Sequence, residues 1–384
     1  MKTKTKRLFF IDNLRIAIAV LVVIHHAGQA YGPGGWWYFE SDERSNPLGV
    51  LFTLNRSFFM SLFFLVSGYF LPGAFNRKGA SRFLRERFIR LGIPLLLFFF
   101  LIIPMLMYVY YINFRGLAAI SFFDYYKQIY FGFAPMPANW TGPSWPDMQF
   151  GHLWFVEHLL VYSLAYAAYR ALPFKRRNSD RLESPSNISI AVFAVLLALL
   201  TSLVRLVYPI DVWIGLLGFI QVAFADVPRD LSFFIIGIIA YQHDWLRRFS
   251  NKQGYLWLSI GIALAFVPIV LNATGNLGNV FGRGGSSLVY TLWEAFYCCG
   301  ISFGLIVLFR NRLEHSSRLL ATLAAASYAV YLFHVPVVVM LQYALANISL
   351  QPFVKFLLVS IIGVLLTFAF SSFIRRIHIV KKVL

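Results

Sequence analysis

Long apolar stretches recur along the chain, and short polar segments separate them. A transmembrane helix needs about 20 mostly apolar residues to cross roughly 30 Å of hydrocarbon. Ten stretches are predicted to be membrane helices, with approximate limits 12–31, 50–71, 90–112, 152–172, 188–208, 229–242, 256–272, 288–309, 323–344 and 353–374. The pattern predicts an all-α, polytopic integral membrane bundle of about ten transmembrane helices, in one domain over residues 1–384 with no soluble domain.

The sixth stretch, 229–242, has the weakest pattern. Its apolar part is short, and it follows Asp226, Pro228 and two further charged residues, Arg229 and Asp230. Irregular backbone at membrane depth is tolerated where protein surrounds it. We therefore expect a broken or re-entrant helix packed inside the bundle at this point.

The composition agrees with a lipid environment. Of 384 residues, 59% are hydrophobic and 13% are charged, with a mean hydropathy of +0.67. A soluble domain of this size would leave a very large apolar surface in water. Cys298 and Cys299 are adjacent within an apolar stretch and have no metal-ligand spacing, so we interpret them as packing residues and expect no metal.

The distribution of basic residues predicts the orientation of the bundle. Lys and Arg are concentrated in alternate connecting segments, at 2–7, 77–90, 175–181, 247–252, 310–318 and 375–382. Positive residues are retained on the cytoplasmic side of a membrane. The sequence therefore predicts a multi-pass protein of the cell inner (plasma) membrane with both termini cytoplasmic. This distribution also explains the net charge of +18 without a nucleic-acid partner.

The first predicted helix carries ionisable residues where apolar ones are expected. Such residues are costly inside a membrane and are candidates for function when they face the bundle interior. Arg15 and His26 are about 20° apart around the helix and about 16 Å apart along it. Asp12 shares their face, whereas His25 is turned away by about 100°. Either this stripe is functional, or its charges anchor the helix and its histidines bond to neighbouring helices.

The third predicted helix opens with a run of basic residues that includes Arg87 and Arg90 and is followed by Pro94. Arg87 and Arg90 lie on one helix face because they are three residues apart. Guanidinium groups bind phosphate oxygens in a bidentate manner. Taken alone, this run of basic residues indicates an anchor at the membrane interface. Arg87 and Arg90 are also placed where a phosphorylated ligand would arrive from the cytoplasm.

Several ionisable residues from different predicted helices fall at similar depths. His26, Arg56, Glu157, His158 and His334 are all expected within roughly 7 to 15 Å of the outer boundary, at 1.5 Å per residue. They either line one cavity or make separate polar contacts between helices, and for His158 we favour a separate contact. On the ninth helix, Tyr331 and His334 share a face with Ser327.

In five segments the chain resembles acyltransferase family 3 of membrane proteins. The matching segments are FIDNLRIAIAVLVVIHH at 10–26, FFLVSGYF at 63–70, RERFIRLGIP at 85–94, GHLWF at 151–155 and SYAVYLFHVP at 327–336. They occur in the order of the family and span most of the chain. The resemblance implies a ten-helix bundle that transfers an acyl group from cytoplasmic acyl-CoA to a hydroxyl, commonly on a carbohydrate, at the outer side.

The resemblance also implies roles for particular residues. Arg15 and His26 match the essential Arg and His of the family, and Arg87 and Arg90 match its paired Arg motif. Tyr331 and His334 match a recurring motif with a less defined role. No additional hydrolase-like domain is recognised, so transfer to the acceptor is expected within the bundle. Acyl-CoA is expected as a donor substrate, with no permanently bound cofactor.

We predict a mechanism in which His26 is the general base. Arg15, Arg87 and Arg90 would bind the CoA phosphates, and Arg56 or His334 would stabilise the oxyanion; an acyl-His intermediate is the variant of this scheme. The acceptor is expected to contact Arg56, Glu157, Trp154 and Tyr331. Trp140, Trp145 and Trp154 either stack on sugar rings or, as is more usual, lie at the membrane interface.

Two other classes of function remain open from the sequence. A proton-coupled membrane transporter would use His26, Glu157 and His334 as a relay, and it would show substrate flux without acyl-CoA. A membrane sensor or scaffold would depend on Arg15 and His26 for stability more than for activity.

Overall fold

A computed structural model describes residues 7–142, 145–173, 181–282 and 287–384. Its principal helices are α1 (Phe9–Gln29), α2 (Leu48–Arg56), α3 (Phe59–Lys78), α4 (Ala80–Phe114), α5 (Trp154–Ala171), α6 (Asn187–Arg205), α7 (Val227–His243), α8 (Asn251–Ala273), α9 (Leu288–Arg312), α10 (Arg318–Ala344) and α11 (Pro352–Ile374). Within these ranges the strands are Ile214–Leu216 and Ile220–Val222, which pair antiparallel with Leu216 opposite Ile220. The predicted all-α class is confirmed.

The predicted and observed helices correspond, with three differences. The second predicted span consists of α2 and α3, which are separated by Ser57 and Phe58. The third predicted span corresponds to α4, which begins earlier than predicted and contains π-helical turns at Phe88–Gly92 and Phe98–Ile102. Eight stretches in the described ranges are long and apolar enough to cross a membrane, and neither α5 nor α7 is among them. The chain is thus a multi-pass membrane protein, while ten crossings remain a prediction.

The third difference concerns the sixth predicted stretch. It forms α7, one continuous helix of 17 residues, so the expectation of a broken helix is wrong, while a re-entrant course through the membrane stays a prediction. Two glycines let α7 pack closely against α3. A Cβ at Gly68 would lie 2.1 Å from the Phe234 carbonyl oxygen, and one at Gly237 would lie 2.1 Å from the Leu65 carbonyl oxygen. Small residues of this kind let two membrane helices approach closely.

Successive helices connect two ends of the bundle. We call the end at which α1 begins the basic end, because the helix termini there carry most of the predicted basic segments; residues 2–6 and 175–180 of those segments lie outside the described residues. Asn13 Nδ2 there donates to the carbonyl oxygens of Leu313 and His315, at 2.8 and 2.9 Å. We call the opposite end the loop end. Helix α1 lies centrally and packs against α9, α10 and α11.

The connection between α4 and α5 at the loop end is organised around a buried ion pair. Arg115 Nη2 donates to Asp147 Oδ1 at 2.9 Å, and the Tyr125 hydroxyl donates to Asp147 Oδ2 at 2.8 Å. The Arg115 guanidinium also lies 4.3 Å from the ring centre of Trp140. Burial outweighs the attraction of Arg115 and raises the pKa of the Asp147 carboxyl from 3.8 to about 6.

This shift predicts a pH dependence of stability. Because the pKa is higher in the folded protein, the folded state binds more protons between about pH 4 and 6, and the contribution of Asp147 to the free energy of unfolding decreases as the pH rises through that window. Thermal unfolding of wild type and Asp147→Asn between pH 4 and 7 checks this. The stability of wild type relative to Asp147→Asn should be greater at pH 4.5 than at pH 7; a pH-independent difference would refute the assignment.

Candidate active site

Three histidines from three helical segments meet inside the bundle. His26 on α1 and His334 on α10 are joined through His26 Nδ1 and His334 Nε2, which are 3.2 Å apart. The ring of His152, which immediately precedes α5, is centred 5.1 Å from the ring of His334. His334 and His152 are buried, whereas His26 is partly exposed. We call these three residues the histidine site, and His26 is its one member that is not fully buried.

The hydrogen bonds of the histidine site define the tautomers of its neutral rings. His334 Nδ1 faces the Tyr331 carbonyl oxygen at 2.7 Å, and a carbonyl only accepts, so this nitrogen carries the proton. His334 Nε2 must then accept from His26 Nδ1–H, which also faces the Val22 carbonyl oxygen at 2.9 Å. His26 therefore keeps the lone pair on Nε2. This is the arrangement that a general base requires.

Two further residues hold the ring of His26. Its centre lies 5.2 Å from that of Trp37. The indole N–H of Trp37 donates to Gln342 Oε1 at 2.8 Å, and Gln342 Nε2 donates to the carbonyl oxygens of His26 and Ala27, at 3.3 and 3.2 Å. Gln342 thus fastens Trp37 and α1 to α10.

His25 lies outside the histidine site, as its helical angle predicts. Its Nε2 bonds to Gln29 Nε2 at 3.1 Å, and its ring packs against Phe52 and Phe59. His152, in contrast, was missed by sequence reasoning. It is the first residue of the predicted span 152–172 and stands in the GHLWF segment, and the sign in the sequence is a histidine at the start of a membrane helix.

At the basic end, Arg15 approaches the paired arginines of α4. Arg15 and Arg90 are close enough for their positive charges to repel each other, as are Arg87 and Arg90. The only carboxylate paired with Arg15 within the described ranges is Asp12 at 3.8 Å, and Asp12 pairs more closely with Arg7, at 2.6 Å. We call Arg15, Arg87 and Arg90 the arginine cluster. It brings three positive charges together, and in the described part of the chain Asp12 acts on Arg15 and Glu86 acts on Arg87 as opposite charges.

Helix α10 holds Arg90 through its backbone. Pro94 has no N–H, so it cannot donate to the Arg90 carbonyl as the fourth residue of a regular helix would. The Tyr328 hydroxyl donates to that carbonyl oxygen instead, at 2.5 Å. Since π-helical turns are frequent at functional sites, the position of Arg90 in the turn Phe88–Gly92 also fits a binding role.

The remaining predicted site residues do not all join the histidine site. The buried Tyr331 hydroxyl donates to the His152 carbonyl oxygen and thereby joins α10 to the start of α5. His158 bonds to Trp154 of its own helix, with 2.8 Å between Nδ1 and the carbonyl oxygen. Glu157 is buried, and its Oε2 has no hydrogen-bond partner within the described part of the chain. Trp154 is half-buried beside Trp213.

Arg56 belongs to a second buried cluster, which we call the charge network. Its members are Arg56, Arg205, Asp226, Arg229, Asp230 and Glu294. Asp226 accepts from Arg56 and Arg205 at 3.2 Å each and pairs with Arg229 at 3.3 Å. Glu294 pairs with Arg205 at 2.8 Å and with Arg229. Arg56 also pairs with the exposed Asp211, and its charge reaches His25.

Sequence reasoning missed this network, although the necessary sign was present. Arg205 and Glu294 stand inside predicted spans, where an ionisable residue is unusual. Their partners come from other helices, and spacing along one helix does not reveal such pairs. The network joins the end of α2, the end of α6, the start of α7 and α9 at the loop end.

The fold and these clusters define a polytopic membrane protein in which one central helix connects an arginine cluster to a histidine site. Residues 8–376 match the family model of the acyltransferase domain, so the chain belongs to that family, acyltransferase family 3. It is an acyltransferase that transfers groups other than aminoacyl groups. Similar curated proteins include the glucans biosynthesis protein C of Escherichia coli (strain K12 / DH10B) and that of Shigella dysenteriae serotype 1 (strain Sd197). Each is 25% identical over 341 residues, which cover 86% of this chain and 82% of the relative. No solved structure matches the chain.

Proposed function

We propose that the protein moves an acyl group, of the acetyl or succinyl type, from cytoplasmic acyl-CoA to a hydroxyl of an extracytoplasmic carbohydrate. The basic end would face the cytoplasm, with both termini there, and the membrane would be the inner (plasma) membrane. The observation that carries the proposal is that Arg15 and His26 stand on one helix face, each beside the groups that its role requires. The name of the relatives, which refers to glucans, supports a carbohydrate acceptor.

The chemical step follows from the bare Nε2 of His26. The acceptor hydroxyl oxygen attacks the thioester carbonyl carbon while His26 Nε2 takes the hydroxyl proton. The carbon–sulfur bond then breaks, an ester remains on the acceptor, and the proton passes from His26 to the departing CoA thiolate. His334 keeps His26 in the productive tautomer and is therefore a positioning residue in this scheme.

The arginine cluster would bind the phosphates of the donor. Arginine forks match phosphate geometry, and the pantetheine arm is long enough to reach His26 across the distance of about 16 Å given by helix rise. On the acceptor side, Glu157 Oε2, which has no hydrogen-bond partner among the described residues, can accept from a sugar hydroxyl, and the half-buried Trp154 offers a ring for stacking.

His334 and Arg56 are the two groups considered for stabilising the oxyanion, and each is already held by other residues. The Nδ1–H of His334 already donates to the Tyr331 carbonyl oxygen, so His334 could donate to the oxyanion only if that hydrogen bond broke. Arg56 is bound on both sides by Asp211 and Asp226. Its contribution to catalysis would be an electric field from the edge of the charge network, which acts without direct contact.

Purified protein in proteoliposomes tests the function. Labelled acetyl-CoA or succinyl-CoA is supplied with a glucan oligosaccharide, and ester formation on the sugar is measured by mass spectrometry. Acyl transfer supports the enzyme. The contact between His26 and His334 also suits a proton relay, so pH-driven flux of the oligosaccharide without acyl-CoA, and without ester formation, would favour the transporter instead.

The bond from Tyr328 to Arg90 gives a further prediction. Tyr328→Phe removes the hydroxyl that holds Arg90 and is expected to raise the KM for acyl-CoA about threefold to tenfold with kcat little changed, because a hydrogen bond contributes about 1 kcal/mol. Steady-state kinetics measure this. Tyr255→Phe, also at the basic end, is the control. An unchanged KM in Tyr328→Phe would contradict the role.

A further inference from the structure

A fourth arginine lies near Arg90, at the end of a different helix. Arg375 immediately follows α11, and its positive charge acts on Arg90. Its Nε is buried and has no hydrogen-bond partner within the described ranges. Neither the helical stripe nor the motif segments in the sequence point to this residue.

An arginine in this setting is more than a charge at the membrane surface. Its planar group can direct a fixed N–H at a ligand, and a buried donor without a partner is costly. Like charges brought together on Arg15, Arg87, Arg90 and Arg375 also repel one another. Arg90 itself has one bond from its side chain within the described ranges, from Nη2 to the main-chain oxygen of Leu384 at 3.3 Å. A ligand with several negative charges would relieve both costs.

We propose that Arg375 is a fourth phosphate-binding residue of the donor site, where it contacts the phosphorylated part of CoA. The inference rests on the proposed function, in which CoA enters at the basic end. CoA carries a diphosphate and a separate 3′-phosphate, so it offers several negatively charged groups to a cluster of arginines. Phosphate groups of anionic lipids share this chemistry, and the experiment separates the two sources.

The test measures binding of CoA by isothermal titration calorimetry, with the full chain in nanodiscs of phosphatidylcholine alone, which contain no anionic lipid. Arg375→Gln is expected to weaken binding of CoA about tenfold and to reduce its dependence on salt. Arg375→Lys, which keeps the charge and loses the planar donor, should give an intermediate affinity. Arg376→Gln removes an exposed neighbouring charge and should bind as wild type does. Thermal unfolding verifies that each variant is folded.

The outcomes are distinguishable. Absence of CoA binding by wild type would overturn the proposed donor and this inference together. If wild type binds CoA and Arg90→Gln weakens binding but Arg375→Gln does not, the inference fails while the proposed function stands. Equal losses in Arg375→Gln and Arg376→Gln would show a general effect of surface charge and would also overturn the specific role. If Arg375→Gln unfolds, Arg375→Lys decides: an affinity equal to wild type rejects the directed bond.

Discussion

Replacing His26 with alanine is expected to reduce the rate of acyl transfer by about 10²–10⁴-fold, the range over which a positioned general base accelerates a reaction. The partly exposed ring of His26 presents Nε2 without a proton, because its Nδ1–H is directed at Val22 and His334. No second histidine of the site can substitute, since His334 and His152 are buried. Initial rates with labelled acyl-CoA in proteoliposomes measure the effect.

His25→Asn is the matched control, since His25 is adjacent in sequence but packs against Phe52 and Phe59. Its rate should stay within a few-fold of wild type. Both proteins should bind CoA like wild type, because neither residue belongs to the arginine cluster. Full activity in His26→Ala, or a loss confined to His25→Asn, would show that the base has been assigned to the wrong residue.

Replacing Glu294 with glutamine is expected to lower the free energy of unfolding by about 3–5 kcal/mol, the usual cost of removing one partner from a buried ion pair. Glu294 is buried and pairs with Arg205 and Arg229, so its loss leaves two guanidinium groups with an excess of positive charge. Thermal unfolding in detergent measures the effect. Glu43→Gln, on an exposed loop residue, should unfold at the wild-type temperature.

The measurement also separates two roles of the charge network. If the network only joins α2, α6, α7 and α9, then activity per folded molecule should be close to wild type in Glu294→Gln below its unfolding temperature. If it also sets the electric field of Arg56, the rate should fall while the affinity for CoA is unchanged. Unaltered stability in this variant would contradict the role of the network in holding the helices together.

The sequence predicts the bundle well because hydrophobic length and helical period are local properties. The separation of Arg15 and His26 depends on one uninterrupted helix, and α1 is continuous over that range. The approach of Arg15 to Arg90 depends on how α1 and α4 pack, which their own sequences do not specify. The grouping of Arg15 with Arg90 was expected from the family resemblance. The role of these arginines in binding the acyl donor, and the role of His26 as the base, remain predictions.

Other features could not be predicted from the chain because they depend on contacts between distant segments. The interruption at Ser57 and Phe58 lies inside an apolar stretch that reads as one span. The network around Asp226 needs three arginines from three elements to converge. For Glu157 the sequence predicts only a depth similar to that of His26, because depth along a helix does not determine the direction of a side chain around it.

In the proposed function, acyl groups pass from a donor bound at the basic end to an acceptor at the loop end of the same bundle. Proteoliposomes in which the protein has one known orientation test this transfer directly. Labelled acetyl-CoA or succinyl-CoA is sealed on the side of the basic end, and a glucan oligosaccharide is placed on the other side. The account predicts labelled ester on the oligosaccharide, at a rate that falls by about 10²–10⁴-fold in His26→Ala. Ester formation only when both substrates are on one side, or none at all, would contradict it.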